Sequence, residues 1–481
     1  MALRSAEQYL ESLRDDRVVY YRGEQVKDVT THPDVRVAAE HASLDYHLAE
    51  DPKYKDLMTY QVPETGEVFS RYFKVPKHAE DLLRRHEMIL TGTRAGHGVV
   101  LIIKEIGTDA LFALSIIAKK MDDQFGTNYS ERVRNYHQYC QQNDLSMATA
   151  QTDVKGDRSL RPSEQEHLDY YVRIVDETKD GIIVRGAKAH TTSAAVVNEI
   201  IVLPTRAVGE GDKNYAVAFA VPANTKGLKM IVSPFGSVAP SDFHHPVSSH
   251  HRLMESLTIF DDVFIPWERV FMKGEWQFAG PLANTFVQFH RFTAISYKPP
   301  LCELFVGAAE LIAQYNGLKQ VSHIREKLTR LINYLETVRA LTRASAYECQ
   351  LVDPGVAVPN TAITNIAKFY FASNYHQAVG WLQDIAGGLL VTGPAEEDWL
   401  NPETRPYIQK YLGGAKGVST ENRLKMFNLI RDLTASDFGG YHEVLAIHAE
   451  GSLEAQKITI YREFDAEPCI EFAKKVAQIR D

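Results

Sequence analysis

The chain has 481 residues, of which 44% are hydrophobic and 24% are charged. This is the balance of a globular protein with length for two or three domains. The formal net charge of -9 argues against nucleic acid as the main partner. No apolar run is long enough to span a membrane, and the N-terminal residues lack the apolar core of a signal peptide. We therefore expect a cytoplasmic protein with no membrane partner.

The four cysteines lie far apart in the sequence, at Cys140, Cys302, Cys349 and Cys469. None forms a CxxC pair, so the spacing excludes a zinc knuckle or a redox dithiol of that type. This use of cysteine fits a reducing cytoplasm.

The first part of the chain, residues 1–145, is predicted to be a helical domain. Ser5 with Gln8 has the spacing of a capping box at the start of the first helix. Helices are predicted over residues 78–90 and 109–125, with Gly126 ending the second of them.

Short β-like runs dominate residues 146–275. They cover residues 181–184, 199–203, 215–221 and 257–265, and Pro204, Pro222 and Pro266 end the last three. Short runs separated by proline and glycine predict a compact antiparallel barrel or sandwich.

Helical periodicity returns in residues 276–481. One stripe has spacings of four and three residues: Ile324, Leu328, Leu331, Leu335 and Val338. Such a stripe packs against another helix, so the sequence predicts a four-helix bundle or an oligomer interface built from one.

A glycine turn and a hydroxyl-rich segment form the most informative stretch, residues 152–192. In the turn, Lys155 and Arg158 supply positive charge and Gly156 allows close approach of the backbone to a ligand. The segment ends in small hydroxyl side chains, Thr191 and Thr192, which suit a flat ring with polar edges, such as a flavin. The alternative is an ordinary surface hairpin.

Several strings in order along the chain resemble one family. They are FGTNY (residues 125–129), TDVKGDR (152–158), GIIVRGAKAH (181–190), FDDVFIPWERV (260–270), DIAGGLLVT (384–392) and SDFGGYHE (436–443). In these strings the chain is similar to the 4-hydroxyphenylacetate 3-hydroxylase family, which includes 4-hydroxybutyryl-CoA dehydratase. The resemblance implies an α+β, acyl-CoA dehydrogenase-like fold with a middle antiparallel β-barrel and a C-terminal four-helix bundle. It also implies FAD between barrel and bundle, and a homotetramer.

The resemblance carries cofactor-binding roles to three segments. These are Lys155, Gly156, Asp157 and Arg158 in the turn, His190, Thr191 and Thr192 in the hydroxyl-rich segment, and Gly451, Ser452, Leu453 and Glu454 near the C-terminus. Thr192 matches the threonine that lies near the flavin N5 edge in the family.

The chain departs from the dehydratase at its iron–sulfur ligands. Two cluster cysteines fall at Leu101 and Glu105, the third falls at Tyr297, and only the histidine remains, as His290. A cluster needs thiolate ligands, so we expect no iron–sulfur cluster and no metal site. The tyrosine that is catalytic in the dehydratase falls at Ala294.

The chain also departs from the phenol hydroxylases. The three residues that hold the phenol there fall at Ile103, Gly107 and Thr149. The apolar segment 94–106 suits a larger, less polar substrate or an acyl group. A shifted register would instead give a polar role to Arg94 or His97.

Three residues are candidates for acid–base chemistry. His290 and Lys298 match the family motif and are expected to flank the loop that opens the bundle. Glu255 matches a carboxylate near the dehydratase active site. The alternatives are a structural histidine at a domain junction and a carboxylate that only anchors its neighbours. The pairs His244-His245 and His250-His251 are interpreted as a solvated loop.

Two function classes follow. The first is the oxygenase component of a two-component monooxygenase that hydroxylates an aromatic or other apolar small molecule. Its reduced FAD would come from a separate NAD(P)H:flavin reductase, because the chain lacks a GxGxxG nicotinamide site after a strand. The second is a flavin-dependent lyase or isomerase of an acyl-CoA. A flavin-binding scaffold without activity has little support.

Overall fold

The N-terminal region is helical with two short β-hairpins, in a computed structural model that describes residues 3–234 and 240–479. Its elements are α1 (Ala6–Ser12), β1 (Val18–Tyr21), β2 (Glu24–Val26), α2 (Arg36–Glu50), α3 (Lys55–Met58), β3 (Thr59–Gln61), β4 (Val68–Ser70), α4 (Ala79–Ala95), α5 (Glu105–Phe125) and α6 (Tyr129–Gln142). The predicted capping box is confirmed, because Ser5 and Gln8 each accept the other's backbone N–H. Helix α5 ends at Gly126 in the left-handed conformation, as predicted.

The middle region consists of strands in two sheets. The strands are β5 (Met147–Ala150), β6 (Arg173–Glu177), β7 (Gly181–Lys188), β8 (Glu199–Val202), β9 (Val217–Pro222), β10 (Leu228–Val232), β11 (Ser256–Pro266) and β12 (Val270–Lys273). One sheet has the order β2-β1-β10-β11-β7-β6 and the other β12-β9-β8-β5. All four predicted β runs are confirmed as strands.

Two strand pairs depart from the predicted antiparallel pattern. Strand β1 pairs with β10 in parallel, and β5 pairs with β8 in parallel. Strand β1 lies in the helical N-terminal region and β5 directly follows that region. Each is therefore separated from its partner strand by the long connection that parallel pairing requires. The predicted division of the chain into residues 1–145, 146–275 and 276–481 stays a prediction.

The C-terminal region is helical, with one further hairpin. Its elements are α7 (Trp276–Tyr315), α8 (Ser322–Tyr347), β13 (Gln350–Val352), β14 (Val356–Val358), α9 (Thr361–Ala386), α10 (Leu389–Thr392), α11 (Glu396–Leu400), α12 (Arg405–Tyr411), α13 (Thr420–Thr434), α14 (Asp437–His448), α15 (Leu453–Glu463) and α16 (Glu467–Ala477). The predicted stripe on α8 is buried throughout and packs with α7, α9 and α13 in one apolar core. The helix face predicted from its spacing is confirmed.

Helix α7 corrects one expectation. No loop lies between His290 and Lys298, because α7 runs unbroken through both of them. Pro299 cannot donate to the carbonyl of Ile295, and the hydroxyl of Thr342 on α8 donates to that oxygen instead (3.1 Å). This replacement lets the helix continue and holds both side chains on a rigid element.

Within the described residues, no helix is long and apolar enough to cross a membrane.

Candidate active site

The side chain of Glu255 joins the middle region of the chain, which holds strands β5 to β12 and is called the β region below, to helix α14. Glu255 lies just before β11 and accepts hydrogen bonds from the hydroxyls of Thr192 (2.9 Å) and Tyr441 (2.7 Å). Burial raises the pKa of the Glu255 carboxyl to about 7, and the two hydroxyl donors oppose that rise. The structure thus brings together two predicted residues, Glu255 and Thr192, with Tyr441.

The hydroxyl-rich segment is held in an unusual backbone conformation. His190 and Ser193 both have positive φ angles (57° and 63°). Thr191 exchanges backbone hydrogen bonds with Ser256, yet its buried hydroxyl has no partner among the described residues. An unpartnered buried hydroxyl at this place fits a polar ligand edge. His190 is exposed.

The predicted cofactor-binding turn is tightly packed around Gly156. Gly156 has a φ of 56°, and a Cβ added there would lie 2.2 Å from the ring of Tyr170. The amide side chain of Gln165 accepts from the backbone N–H of Asp157 and donates to its carbonyl. Only glycine fits this position, so the turn is built around it.

Positive charge accumulates beside this turn. Burial lowers the pKa of the Lys155 ammonium, and the charges of Arg158 and Arg206 lower it further, while Asp153 opposes them. Arg158 is exposed. Three cations near one carboxylate suit an anionic group such as the diphosphate of FAD, so the residues present fit this cofactor.

The third predicted cofactor segment lies elsewhere, at the start of α15. Gly451 has a φ of 94°, and a Cβ there would lie 2.8 Å from Nη2 of Arg291. Ser452 caps α15 by accepting from the N–H of Ala455. Leu453 is half-buried and Glu454 is exposed. The cofactor roles of these four residues stay predictions.

A buried cluster of charged residues surrounds Glu450. Glu450 was not among the site residues predicted from the sequence. The Glu450 carboxylate accepts from the hydroxyl of Tyr297 and lies 3.4 Å from Nζ of Lys298 and 3.2 Å from Nζ of Lys368. Its backbone carbonyl accepts from Nε of Arg291 (2.9 Å). The cluster connects α7, α9 and the segment between α14 and α15.

The sequence predicted only one of the two lysines of this cluster as a site residue. Lys298 was predicted from the family motif. Lys368 has the helical spacing of a buried stripe on α9: Thr364, Ala367, Lys368, Phe371 and Tyr375. A lysine on such a stripe signals a buried charge with a partner. Glu450 has no comparable signal, because its partners are distant in sequence.

His290 is a weak base in this environment. Its ring stacks on Phe286, with centroids 5.2 Å apart, and Nδ1 has no partner among the described residues. Burial lowers its pKa to about 3, and the charges of Lys298, Arg291 and Lys368 add to the effect. The base role predicted for His290 stays a prediction that these surroundings disfavour.

A small cavity lies between the charge cluster and the wall formed by residues 98–100. Its volume is about 30 Å³, enough for a water molecule. Its lining is mostly apolar and aromatic, with polar groups on one side: Gly98, Val99, Val100, Leu253, Tyr297, Lys298, Leu301, Phe371, Tyr375, His442, Leu445 and Ala446. A ring-sized substrate requires these side chains to move.

The polar residues of segment 94–106 are engaged elsewhere. Arg94 pairs with Glu303 (2.6 Å), and Lys104 lies 2.7 Å from both Asp45 and Asp144 in the interior. His97 packs against the ring of His251 (4.3 Å between centroids). The segment therefore presents an apolar surface, Val99 and Val100, to the cavity.

The positions that hold phenol in the hydroxylases are filled here. Ile103 is fully buried, and a Cβ on Gly107 would lie 2.4 Å from Cβ of Met147. The Thr149 hydroxyl donates to the carbonyl of Ile106 (3.1 Å). A tyrosine at position 107 would not fit, so a substrate must be held by other residues.

The side chains at the positions that the resemblance predicts for cluster ligands do not fit an iron–sulfur cluster. Leu101 belongs to the apolar core, and Glu105 accepts from the hydroxyl of Tyr72 and two backbone N–H groups. Burial raises the pKa of the Cys302 thiol, which disfavours the thiolate. Within residues 3–234 and 240–479, no three His, Cys, Asp or Glu side chains form a metal-binding group.

The loop that carries His244, His245, His250 and His251 was expected to be solvated, but only part of it is exposed. His250 is exposed and bonds to Asp242. His251, in contrast, is buried, and its Nδ1 lies 3.2 Å from Nδ1 of His41.

The protein combines a β region, which carries a cationic turn suited to an anionic cofactor, with a helical bundle. The bundle holds a mostly apolar cavity beside a cluster of buried charges. Models of two domain families match it: 4-hydroxyphenylacetate 3-hydroxylase N terminal over residues 5–272 and 4-hydroxyphenylacetate 3-hydroxylase C terminal over residues 279–478. The chain belongs to the 4-hydroxyphenylacetate 3-hydroxylase family. The family predicted from the sequence is confirmed, and so is the order of a helical N-terminal region, a middle β region and a helical C-terminal region.

Relatives of both branches cover nearly the whole chain. The 4-hydroxybutyryl-CoA dehydratase/vinylacetyl-CoA-Delta-isomerase of Clostridium aminobutyricum is 33% identical over 99% of this chain and 100% of its own length. The 4-hydroxyphenylacetate 3-monooxygenase oxygenase component of Thermus thermophilus is 31% identical over 97% and 95%.

Solved structures agree with this relationship. A 4-hydroxybutyryl-CoA dehydratase from N. maritimus has a TM-score of 0.94 and 34% identity, covering 100% of this chain and 96% of its own. The oxygenase component of 4-hydroxyphenylacetate 3-monooxygenase complexed with FAD has a TM-score of 0.91 and 30% identity, covering 98% of each chain.

The raised pKa of Glu255 predicts a pH-dependent stability difference. Between the ordinary carboxyl pKa and about 7, the folded protein holds this proton and the unfolded chain does not. The Glu255 contribution to stability therefore falls as pH rises through this window, by up to about 1.4 kcal/mol per pH unit. Glu255→Gln, which stays neutral, should gain stability relative to the wild type from pH 5 to pH 7.

Denaturant unfolding at each pH measures this difference. Glu64→Gln, at an exposed carboxylate in the β3–β4 hairpin, is the matched control and should show no trend. A pH-independent difference for Glu255→Gln would contradict the assignment.

Proposed function

We propose that this protein is the FAD-dependent oxygenase component of a two-component monooxygenase that hydroxylates an aromatic or other apolar substrate. The observation that carries the proposal is a cationic turn suited to FAD in a chain that has Leu101, Glu105 and Tyr297, and no cysteine, at the positions that the resemblance predicts for cluster thiolates. Members of the family named as monooxygenase components, including a "FADH(2)-dependent monooxygenase" of Burkholderia cepacia, support it.

The residues that would hold FAD lie on the β region. Lys155 and Arg158 would face its phosphates, and Thr191 and Thr192 its ring edge. When bound in reduced form, the flavin supplies the electrons that activate dioxygen. A separate NAD(P)H:flavin reductase would provide that reduced form.

The helical bundle would supply the substrate side of the site. Val99, Val100 and Leu253 form an apolar wall that excludes water. Opposite this wall, Lys298 gives the cavity a positive edge. A small aromatic molecule that becomes anionic in the reaction suits this combination of wall and charge.

A second candidate is a flavin-dependent lyase or isomerase of an acyl-CoA without a cluster. It is favoured by the 33% identity to the dehydratase/isomerase over the whole chain. In that case Glu255 or His290 would abstract the substrate proton.

The assembly is proposed to be a homotetramer in the cytoplasm. Helices α15 and α16, with the residues that directly follow each of them, carry exposed apolar side chains: Ile458, Tyr461, Phe464, Ile470, Phe472, Val476 and Ile479. A surface of this kind is typical of a subunit interface. The cysteines are all unpaired, which supports a reducing compartment.

Stopped-flow mixing of the FAD-loaded, reduced protein with dioxygen tests the function. We expect a transient absorbance that differs from both reduced and oxidised flavin, and hydroxylated product when a phenol is present. Direct reoxidation, with deuterium exchange into vinylacetyl-CoA in heavy water, would support the second candidate. Failure of the purified protein to bind FAD would contradict both.

The subunit interface can be tested by sedimentation velocity. Phe472→Asp with Val476→Asp places two charges on the exposed face of α16, where both side chains are 68% exposed. We expect the wild type to sediment as four chains and the double variant as smaller species. Glu471→Gln, on the same helix, is the control and should leave the mass unchanged. A wild type that sediments as a single chain would contradict the proposal.

A further inference from the structure

Tyr297 combines a position in the cavity lining with a direct hydrogen bond to the Glu450 carboxylate. Its ring lines the cavity, and its hydroxyl donates to Oε1 of Glu450. Glu450 is itself only 8% exposed and adopts a positive φ of 56°. The strained backbone at Glu450 is held by Arg291, which donates to its carbonyl oxygen.

The other candidate bases are less well placed. The imidazole of His290 is surrounded by cations, which oppose its protonation. Glu255 already accepts two hydroxyl donors, Thr192 and Tyr441, from outside the cavity lining. Tyr297 and Glu450 therefore remain as a pair that can exchange a proton with a molecule in the cavity.

We propose that Tyr297 takes the proton from the hydroxyl of an aromatic substrate, while Glu450 takes the phenolic proton of Tyr297. The inference rests on the proposed function and names a catalytic residue for it. The substrate O–H bond breaks as the Tyr297 O–H bond is remade, and the original Tyr297 proton ends on Glu450. One negative charge moves from Glu450 to the substrate, which becomes an electron-rich phenolate.

The surroundings of the pair support such a transfer. Titratable or charged groups of three helices lie around the pair of Tyr297 and Glu450. They are His290, Arg291, Lys298 and Cys302 from α7, Lys368 and Tyr375 from α9, and His442 from α14. Burial raises the pKa of Glu450 to about 8 and lowers that of Lys368 to about 7. A proton can therefore be held or released by this cluster near neutral pH.

The lysines also stabilise the product of the transfer. Lys298 lines the cavity and lies within 3.5 Å of both Glu450 oxygens. When Glu450 becomes neutral, the charge of Lys298 is available to the new phenolate. Charge on the substrate thus replaces charge on the carboxylate beside the same cations.

Tyr297→Phe tests the proposal with two phenols that differ in acidity. 4-Hydroxyphenylacetate is neutral at its hydroxyl near pH 7, whereas about half of 4-nitrophenol is ionised there because the nitro group withdraws electrons. We expect the variant to lose about 10²-fold in hydroxylation rate with the first phenol. The loss should be several-fold smaller with the second phenol, because its ionised fraction needs no base.

A binding measurement supplies a readout that does not depend on turnover. The absorbance of 4-nitrophenolate bound to the oxidised, FAD-loaded protein gives the apparent pKa of the ligand. The wild type should lower that pKa below its value in solution, and Tyr297→Phe should lower it less. Glu450→Gln, which keeps the side-chain shape, should show the same two effects.

Tyr136→Phe is the matched control. Tyr136, on α6, also donates to a buried glutamate, Glu199 at the start of β8 (3.0 Å), but it does not line the cavity. It should leave both readouts unchanged.

An equal loss of rate with both phenols, no loss at all, or conversion of neither phenol by a wild type that reacts normally with dioxygen would overturn the inference. Failure of FAD binding or of the oxygen reaction in the wild type would instead overturn the proposed function.

Discussion

Burial of the Glu450 carboxylate among lysine side chains is the interaction on which the site depends. An isolated carboxylate in the interior of a helical bundle is strongly unfavourable, and so is an isolated ammonium. Glu450, Lys298 and Lys368 make one another's burial tolerable, with the hydroxyl of Tyr297 as a further donor. Because these groups come from α7, α9 and the segment before α15, their contacts also fix how the C-terminal helices meet the bundle.

The site has two carboxylates with different surroundings. Glu255, at the β region, is held by neutral hydroxyls and has a pKa raised to about 7. Glu450, in the bundle, faces cations beside an apolar cavity. Different surroundings allow different roles, so under the proposed function the first would orient groups beside the flavin and the second would take up the substrate's proton through Tyr297. Tyr297 stands at a position that the resemblance predicts for a cluster thiolate, and its hydroxyl donates to Glu450.

The fold was predictable wherever the signal was local. The α8 stripe, the capping box of Ser5 and the β runs ending in proline depend on neighbouring residues, and all were found from the sequence. The parallel pairing of β1 with β10 joins residues about 200 positions apart, so no local pattern reports it. The same limit applies to the site: Glu255 and Lys298 came from motifs, whereas Glu450 gains its role only from contacts with distant helices.

The most direct test of the account is a double-mutant cycle on Lys298 and Glu450, with free energies of unfolding measured in denaturant. Lys298→Met alone should cost about 3 kcal/mol or more, because it removes a partner of a buried carboxylate. Adding Glu450→Gln should recover more than about 1 kcal/mol of the summed single losses. Losses that add within about 0.5 kcal/mol would show that the two groups are independent and would contradict the account.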